Sequence, residues 1–147
     1  MEFGWINLFG AVIVVIMMIP NIIYAVKFKD EKNLCTNKLA NVLEQVGRYG
    51  CIILMWLPLL VWEFGFSSDI EALIYIFGNA YLLLEYLVVY ILYFKKRTRL
   101  KALMLAAIPS SIFLMSGVLL HHWLLVAFAF IFSAAHIYVT NENNKKQ

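Results

Sequence analysis

Among the side chains able to carry a proton, a charge or a metal, Glu85 stands apart as the single charged residue between Ala72 and Phe94. Counted from Lys95 at about 1.5 Å per residue, it lies roughly 15 Å inside an apolar run, near the middle of a bilayer core about 30 Å thick. An ionisable group at that depth costs at least about 2.5–3.5 kcal/mol, so it asks for a reason. Proton or cation uptake would neutralise it, which makes Glu85 a candidate carrier of either. At 100° per residue Gly78 falls about 20° and Tyr81 about 40° from Glu85 on the same helical face. Gly78 would admit a neighbouring helix or a ligand, and the Tyr81 hydroxyl could share a proton with the carboxyl.

Helix irregularities fall at a similar depth. Pro58, counted from Arg48, and Pro109, counted from Lys101, each lie roughly 12–15 Å from the same interface. Each would free a carbonyl one turn earlier, at Leu54 and Leu105, and kink its helix. Ser110 and Ser111 share that level. The expected site for a proton or a substrate is therefore a layer of Glu85, Tyr81, Gly78, Ser110, Ser111, Pro109 and Pro58. Closer to the basic boundary, Asn21 beside Pro20, Tyr24 one turn on, and His136 form an expected relay, in which Asn21 and His136 could pair.

Other chemistries find no constellation. The sequence contains no H-E-x-x-H, G-x-S-x-G, P-loop or C-x-x-C pattern. With three histidines, of which His122 and His136 stand fourteen residues and roughly 21 Å apart on one helix, neither di-iron nor bis-histidine haem ligation is expected. No enzyme activity, cofactor or metal is expected. Glu63, Asp69, Glu71, His121 and His122 read as a wet outer rim, with Trp5, Trp62 and Trp123 as interface anchors. Cys35 and Cys51 read as free thiols on a reducing side.

These residues need membrane helices to position them. Of the 147 residues 63% are hydrophobic and 14% charged, against about 45–50% and about 25% in soluble domains. That excludes a soluble globule, a disordered chain and a nucleic-acid binder working through a broad basic face. The expected fold is an all-α membrane bundle of about five transmembrane helices. The spans run from Phe3 to Val26, Gly47 to Phe66, Ile70 to Phe94, Leu100 to Ser116 and Leu119 to Val139. Leu100 to Val139 would be about 60 Å as one helix, so it must turn once, with Gly117 the expected place. The first run lacks a basic leader and an A-x-A-like cleavage site, so it is expected to stay as a span.

Charge predicts orientation. All twelve Lys and Arg residues lie between, or at the facing edges of, the first and second spans and the third and fourth, or on the tail. This places the N-terminus outside and the C-terminus in the cytoplasm. Between the first two spans Leu39, Val42, Leu43 and Val46 recur at helical spacing, with Thr36 or Asn37 placed as a cap. They predict a short amphipathic helix on the cytoplasmic face, able to run on into the second span. Residues 1–140 form one integral membrane domain, and 141–147 a polar, disordered tail.

The functional expectation is a small multi-pass protein of a bacterial inner membrane. It would transport or conduct a small solute or ion through a site with a protonatable midplane Glu. The alternative is a non-catalytic membrane adaptor or lipid-interacting protein, in which Glu85 and the prolines fix helix packing. The expected partners are membrane lipids, a small solute or cation, and, through Ala127, Ala129, Ser133 and Ala134, a second copy of the chain.

Overall fold

A computed structural model describes residues 6–61 and 65–146, which form five α-helices. These are α1 (Leu8–Lys27), α2 (Lys38–Leu54), α3 (Asp69–Lys95), α4 (Arg99–Leu119) and α5 (Trp123–Lys145). Phe3, Trp5, Trp62 and Glu63, assigned above to a span end, two interface anchors and the rim, lie outside the described residues.

Side-chain caps start four of the helices. Asn7, Asn37, Ser68 and Thr98 accept hydrogen bonds from the amides of Gly10, Ala40, Glu71 and Lys101, satisfying one orphan donor at each start. Of the two expected caps for α2, Asn37 is the one used.

Four helices, α1, α3, α4 and α5, are long and apolar enough to cross a membrane. The packed pairs are α1 with α3, α3 with α4, α4 with α5, and α5 with α2. Arg97 pairs with Glu31, Arg99 with Asn141, and Lys146 reaches the Leu34 carbonyl. These contacts gather one end of every helix into a basic end. At the opposite end the Asn7 amide donates to the Trp56 carbonyl, and the His122 imidazole bonds the Leu59 carbonyl. Successive helices therefore alternate in direction.

The expectation for residues 38–66 needs correction. The amphipathic helix expected after Asn37 forms and runs on past Gly47, as one helix of 17 residues from Lys38 to Leu54 packed antiparallel against α5, but the span expected to continue to Phe66 is not helical beyond Leu54 among the described residues. Its outward stripe is apolar, with Leu39, Val42, Val46, Tyr49 and Ile53 exposed, while Ala40, Glu44, Gly47, Cys51 and Leu54 are buried. An amphipathic helix on a membrane surface would turn its charged face to water. Here Glu44 points inward because it finds charged partners there. Close approach to α5 depends on two glycines: a Cβ at Gly47 would come within 2.8 Å of the Phe132 backbone, and one at Gly50 within 2.1 Å of the Phe128 ring.

Two breaks also differ from expectation. Helix α2 stops at Leu54, and Leu60 takes a left-handed φ of 58° in the turn that follows, so Pro58 lies outside any helix. The turn between α4 and α5 comes at Leu120–His122, with His121 at φ 54°. Gly117 stays helical and buried, its missing side chain letting Val126 approach: a Cβ there would sit 2.8 Å from Val126 Cγ2. The tail is ordered through Lys145, and Asn143 accepts the Leu34 and Cys35 amides.

Candidate functional site

The polar side chains of the bundle form two groups, one toward each end. Away from the basic end, Asn7 donates to the Tyr75 hydroxyl at 3.1 Å and the Met55 carbonyl at 3.3 Å. Asn79, one turn beyond Tyr75 on α3, donates to the Tyr75 carbonyl at 2.9 Å and to Ser116 Oγ of α4 at 3.2 Å. All four residues are buried and none carries a charge at neutral pH. This group ties α1, α3, α4 and the end of α2 together.

Nearer the basic end the polar residues are charged. Glu44, 5% exposed, accepts at Oε1 from Arg48 Nη2 at 2.5 Å, and the same oxygen lies 2.8 Å from His136 Nδ1 of α5. An ionised carboxylate only accepts, so the imidazole making this bond carries its proton on Nδ1. The ring is held in place by Phe132, stacked on it at 4.8 Å between centroids. Arg48 follows Glu44 by one turn, which gives the i,i+4 pair its geometry.

Arg48 lies to one side of the α2 face that packs on α5. Gly47 and Gly50 face Phe132 and Phe128, whereas Arg48 falls about 100° round from Gly47. Its guanidinium bears electrostatically on the hydroxyls of Tyr86 and Tyr90 of α3. Those hydroxyls meet Asn21 of α1: Asn21 Nδ2 donates to Tyr86 at 2.9 Å, and Tyr90 donates to Asn21 Oδ1 at 3.0 Å. The Arg48 side chain is 37% exposed, and among the described residues its Nε and Nη1 donate to nothing. The arrangement brings one carboxylate, one imidazole and one guanidinium together, with two phenols beside the guanidinium.

At the basic end itself, Glu31 accepts from the Tyr24 hydroxyl at 2.6 Å and pairs with Arg97, whose guanidinium lies 3.8 Å from the Phe28 ring centre. Burial alone would raise the Glu31 carboxyl, but the Tyr24 hydroxyl and the Arg97 charge outweigh it and hold the group below its ordinary range. This clamp fastens the segment after α1 to the α3–α4 connection.

The layer expected around Glu85 is dispersed. Glu85 is half-buried on α3 and, among the described residues, makes no hydrogen bond or ion pair. Tyr81 is 66% exposed and does not bond it. Gly78 serves packing: a Cβ there would meet Met115 of α4 at 3.0 Å. Pro109 is buried inside α4, as its depth suggested. Ser110 is buried and bonds the Ala106 carbonyl, whereas Ser111 is exposed and bonds that of Ala107, so each hydroxyl is spent on its own helix. Pro58 sits in the turn at the end far from the basic residues, because α2 ends before it.

The relay residues fare differently. His136 bonds Glu44 instead of Asn21, Asn21 bonds the two tyrosines, and Tyr24 bonds Glu31. His122, expected on a wet rim, is fully buried against the turn after α2. Sequence reasoning missed Glu44 and Arg48 by placing both in a connection. The available signal was their spacing on a helix whose other face is apolar while their own carries Ala40, Gly47 and Cys51.

Searches among known protein families, curated proteins and solved structures return no match to this chain.

Proposed function

We propose that this chain is a small inner-membrane transport protein for a small solute or ion, in which Glu44, His136 and Arg48 form the proton-linked site. The observation that carries the proposal is the buried Glu44 carboxylate, held between an imidazole and a guanidinium inside an apolar bundle. Charges taken out of water are costly even when paired, and apolar residues of similar size often stabilise a bundle as well or better. Imidazole, the partner here, is the side chain proteins most often use to exchange protons.

In this reading all five helices cross the bilayer, α2 included. Its apolar face meets lipid and its charged face meets the bundle, the reverse of a surface helix. The N-terminus lies outside and the C-terminus in the cytoplasm, because the basic end carries the Lys and Arg residues other than Arg48. The site then opens toward the cytoplasm, one to two turns inside the basic boundary.

The alternative reading, a lipid-interacting protein without transport activity, draws on a different feature. An apolar groove of about 380 Å³ between α3, α4 and α5, with Ile74, Met115 and Phe130 in its walls, could take an acyl chain.

Reconstitution of the full chain in liposomes under an imposed pH gradient separates the two. Transient currents and internal pH would be followed on adding acetate, lactate, phosphate, sodium or potassium. Transport predicts solute-dependent proton movement that Glu44→Gln uncouples from pH. Flux no greater than in protein-free vesicles for all five solutes would remove the transport reading in favour of the lipid one.

A further inference from the structure

The Glu44 carboxylate and the Arg48 guanidinium differ in what they leave unsatisfied. Glu44 is buried, and its Oε1 already serves both Arg48 and His136. Arg48 is more than a third exposed and uses one of its five N–H donors within the chain. The Arg48 charge bears on the hydroxyls of Tyr86 and Tyr90 of α3, and α1 and α2 are not packed along their lengths. A guanidinium with free planar donors matches the two oxygens of a carboxylate or phosphate.

We infer that Arg48, beside Tyr86 and Tyr90, holds a small oxyanion, a carboxylate or phosphate group, and that this anion replaces Glu44 as the arginine's partner when the Glu44–His136 pair takes up a proton. The inference rests on the transport reading and names its substrate class. With Glu44 ionised, the guanidinium is already neutralised, and an incoming anion meets the carboxylate's charge at hydrogen-bond range. One proton added to the Glu44–His136 pair removes that repulsion and frees the guanidinium. Proton and anion together add no net charge to the bundle, so each assists the entry of the other. The titratable groups facing Glu44 are His136 from α5 and Arg48 on its own helix; Tyr86 and Tyr90 face Arg48 from α3, Asn21 of α1 is neutral, and Cys51 lies two turns along α2.

Equilibrium binding tests this without requiring flux. The full chain in a neutral detergent would be melted, followed by tryptophan fluorescence, against rising potassium acetate or phosphate, with potassium chloride as the ionic-strength control. The wild type should gain thermal stability with one of the two oxyanions, its half-saturating concentration rising by up to about tenfold per pH unit from pH 5.5 to 7.5, as linkage to one proton requires. Glu44→Gln should bind that oxyanion at pH 7.5 as tightly as at pH 5.5. Arg48→Gln should not bind it, and Arg48→Lys should bind it more weakly, with circular dichroism confirming that each variant is folded. A second arm compares phosphatidylcholine nanodiscs with and without phosphatidylglycerol. Arg48-dependent stabilisation by phosphatidylglycerol, with none from the free anions, would assign the oxyanion to a lipid headgroup. Binding that survives Arg48→Gln, a Glu44→Gln variant that binds no tighter than wild type at pH 7.5, or no stabilisation in either arm would overturn the inference. Binding without flux would leave the oxyanion site standing and retire the transport reading.

Discussion

The two polar groups of the bundle sit in comparable apolar surroundings and solve opposite problems. In the group far from the basic end, Asn7, Tyr75, Asn79 and Ser116 are buried, uncharged and bonded to one another or to nearby carbonyls. Such a network can hold helices in register and has nothing left over to offer a ligand. In the group near the basic end, a carboxylate, an imidazole and a guanidinium share one oxygen, and the guanidinium keeps donors in reserve. Polarity inside the apolar bundle thus takes two forms: one spends its donors and acceptors within the fold, and the other keeps charge and hydrogen-bond donors in reserve.

That contrast can be broken most forcefully at Arg48. Arg48→Leu leaves Glu44 with His136 alone; full loss of a buried charge partner costs about 3–5 kcal/mol, and partial exposure of Arg48 and the remaining imidazole bring the effect below that ceiling. Unfolding in mixed detergent micelles measures it, and a loss within about 0.5 kcal/mol, the size expected of an ordinary surface substitution, would contradict the charged assignment.

Asn79→Ala comes next. It removes the Asn79 side of the bond to Ser116 between α3 and α4 and should cost about 1–3 kcal/mol, equally at pH 5 and pH 8, because no group there titrates in that interval. A pH-dependent loss would erase the distinction between the two groups.

Glu31→Gln at the basic end should cost less, about 0.2–1 kcal/mol, since both members of its ion pair are about a third exposed. The folded Glu31 carboxyl lies below its ordinary range, so its contribution is present above that range and is lost as pH falls through the lower folded value. Melting curves of wild type and variant should therefore converge in acid. The smallest effect is expected from Ser111→Ala, within about 0.5 kcal/mol, because this hydroxyl faces outward and bonds its own helix. A larger loss, or a loss of flux, would restore Ser111 to the site.

Much of the local structure was legible. Four of the five long apolar runs became helices, the run from Gly47 to Phe66 staying helical only to Leu54; Asn37 capped α2 as its position suggested, and Pro109 entered α4 without ending it. The site was legible only in fragments. His136 and Asn21 were picked out as isolated polar residues in apolar runs, but their partners were not. The Glu44–His136 bond spans 92 residues of sequence, and periodicity says nothing about contacts at that separation. Gly117 looked like a turn because glycine often permits one, yet here it is used for the close approach of Val126.

Composition, run length and the clustering of Lys and Arg determined by themselves that this is a helical membrane-type chain with a basic end, because hydrocarbon admits few backbone alternatives and residue counts are enough to detect the spans. Tertiary structure alone decided which way α2 faces. An amphipathic helix reads the same whether its polar stripe meets water or a bundle interior. What turned Glu44 inward was a histidine on α5 and two glycines that let the helices come close enough for the bond to form.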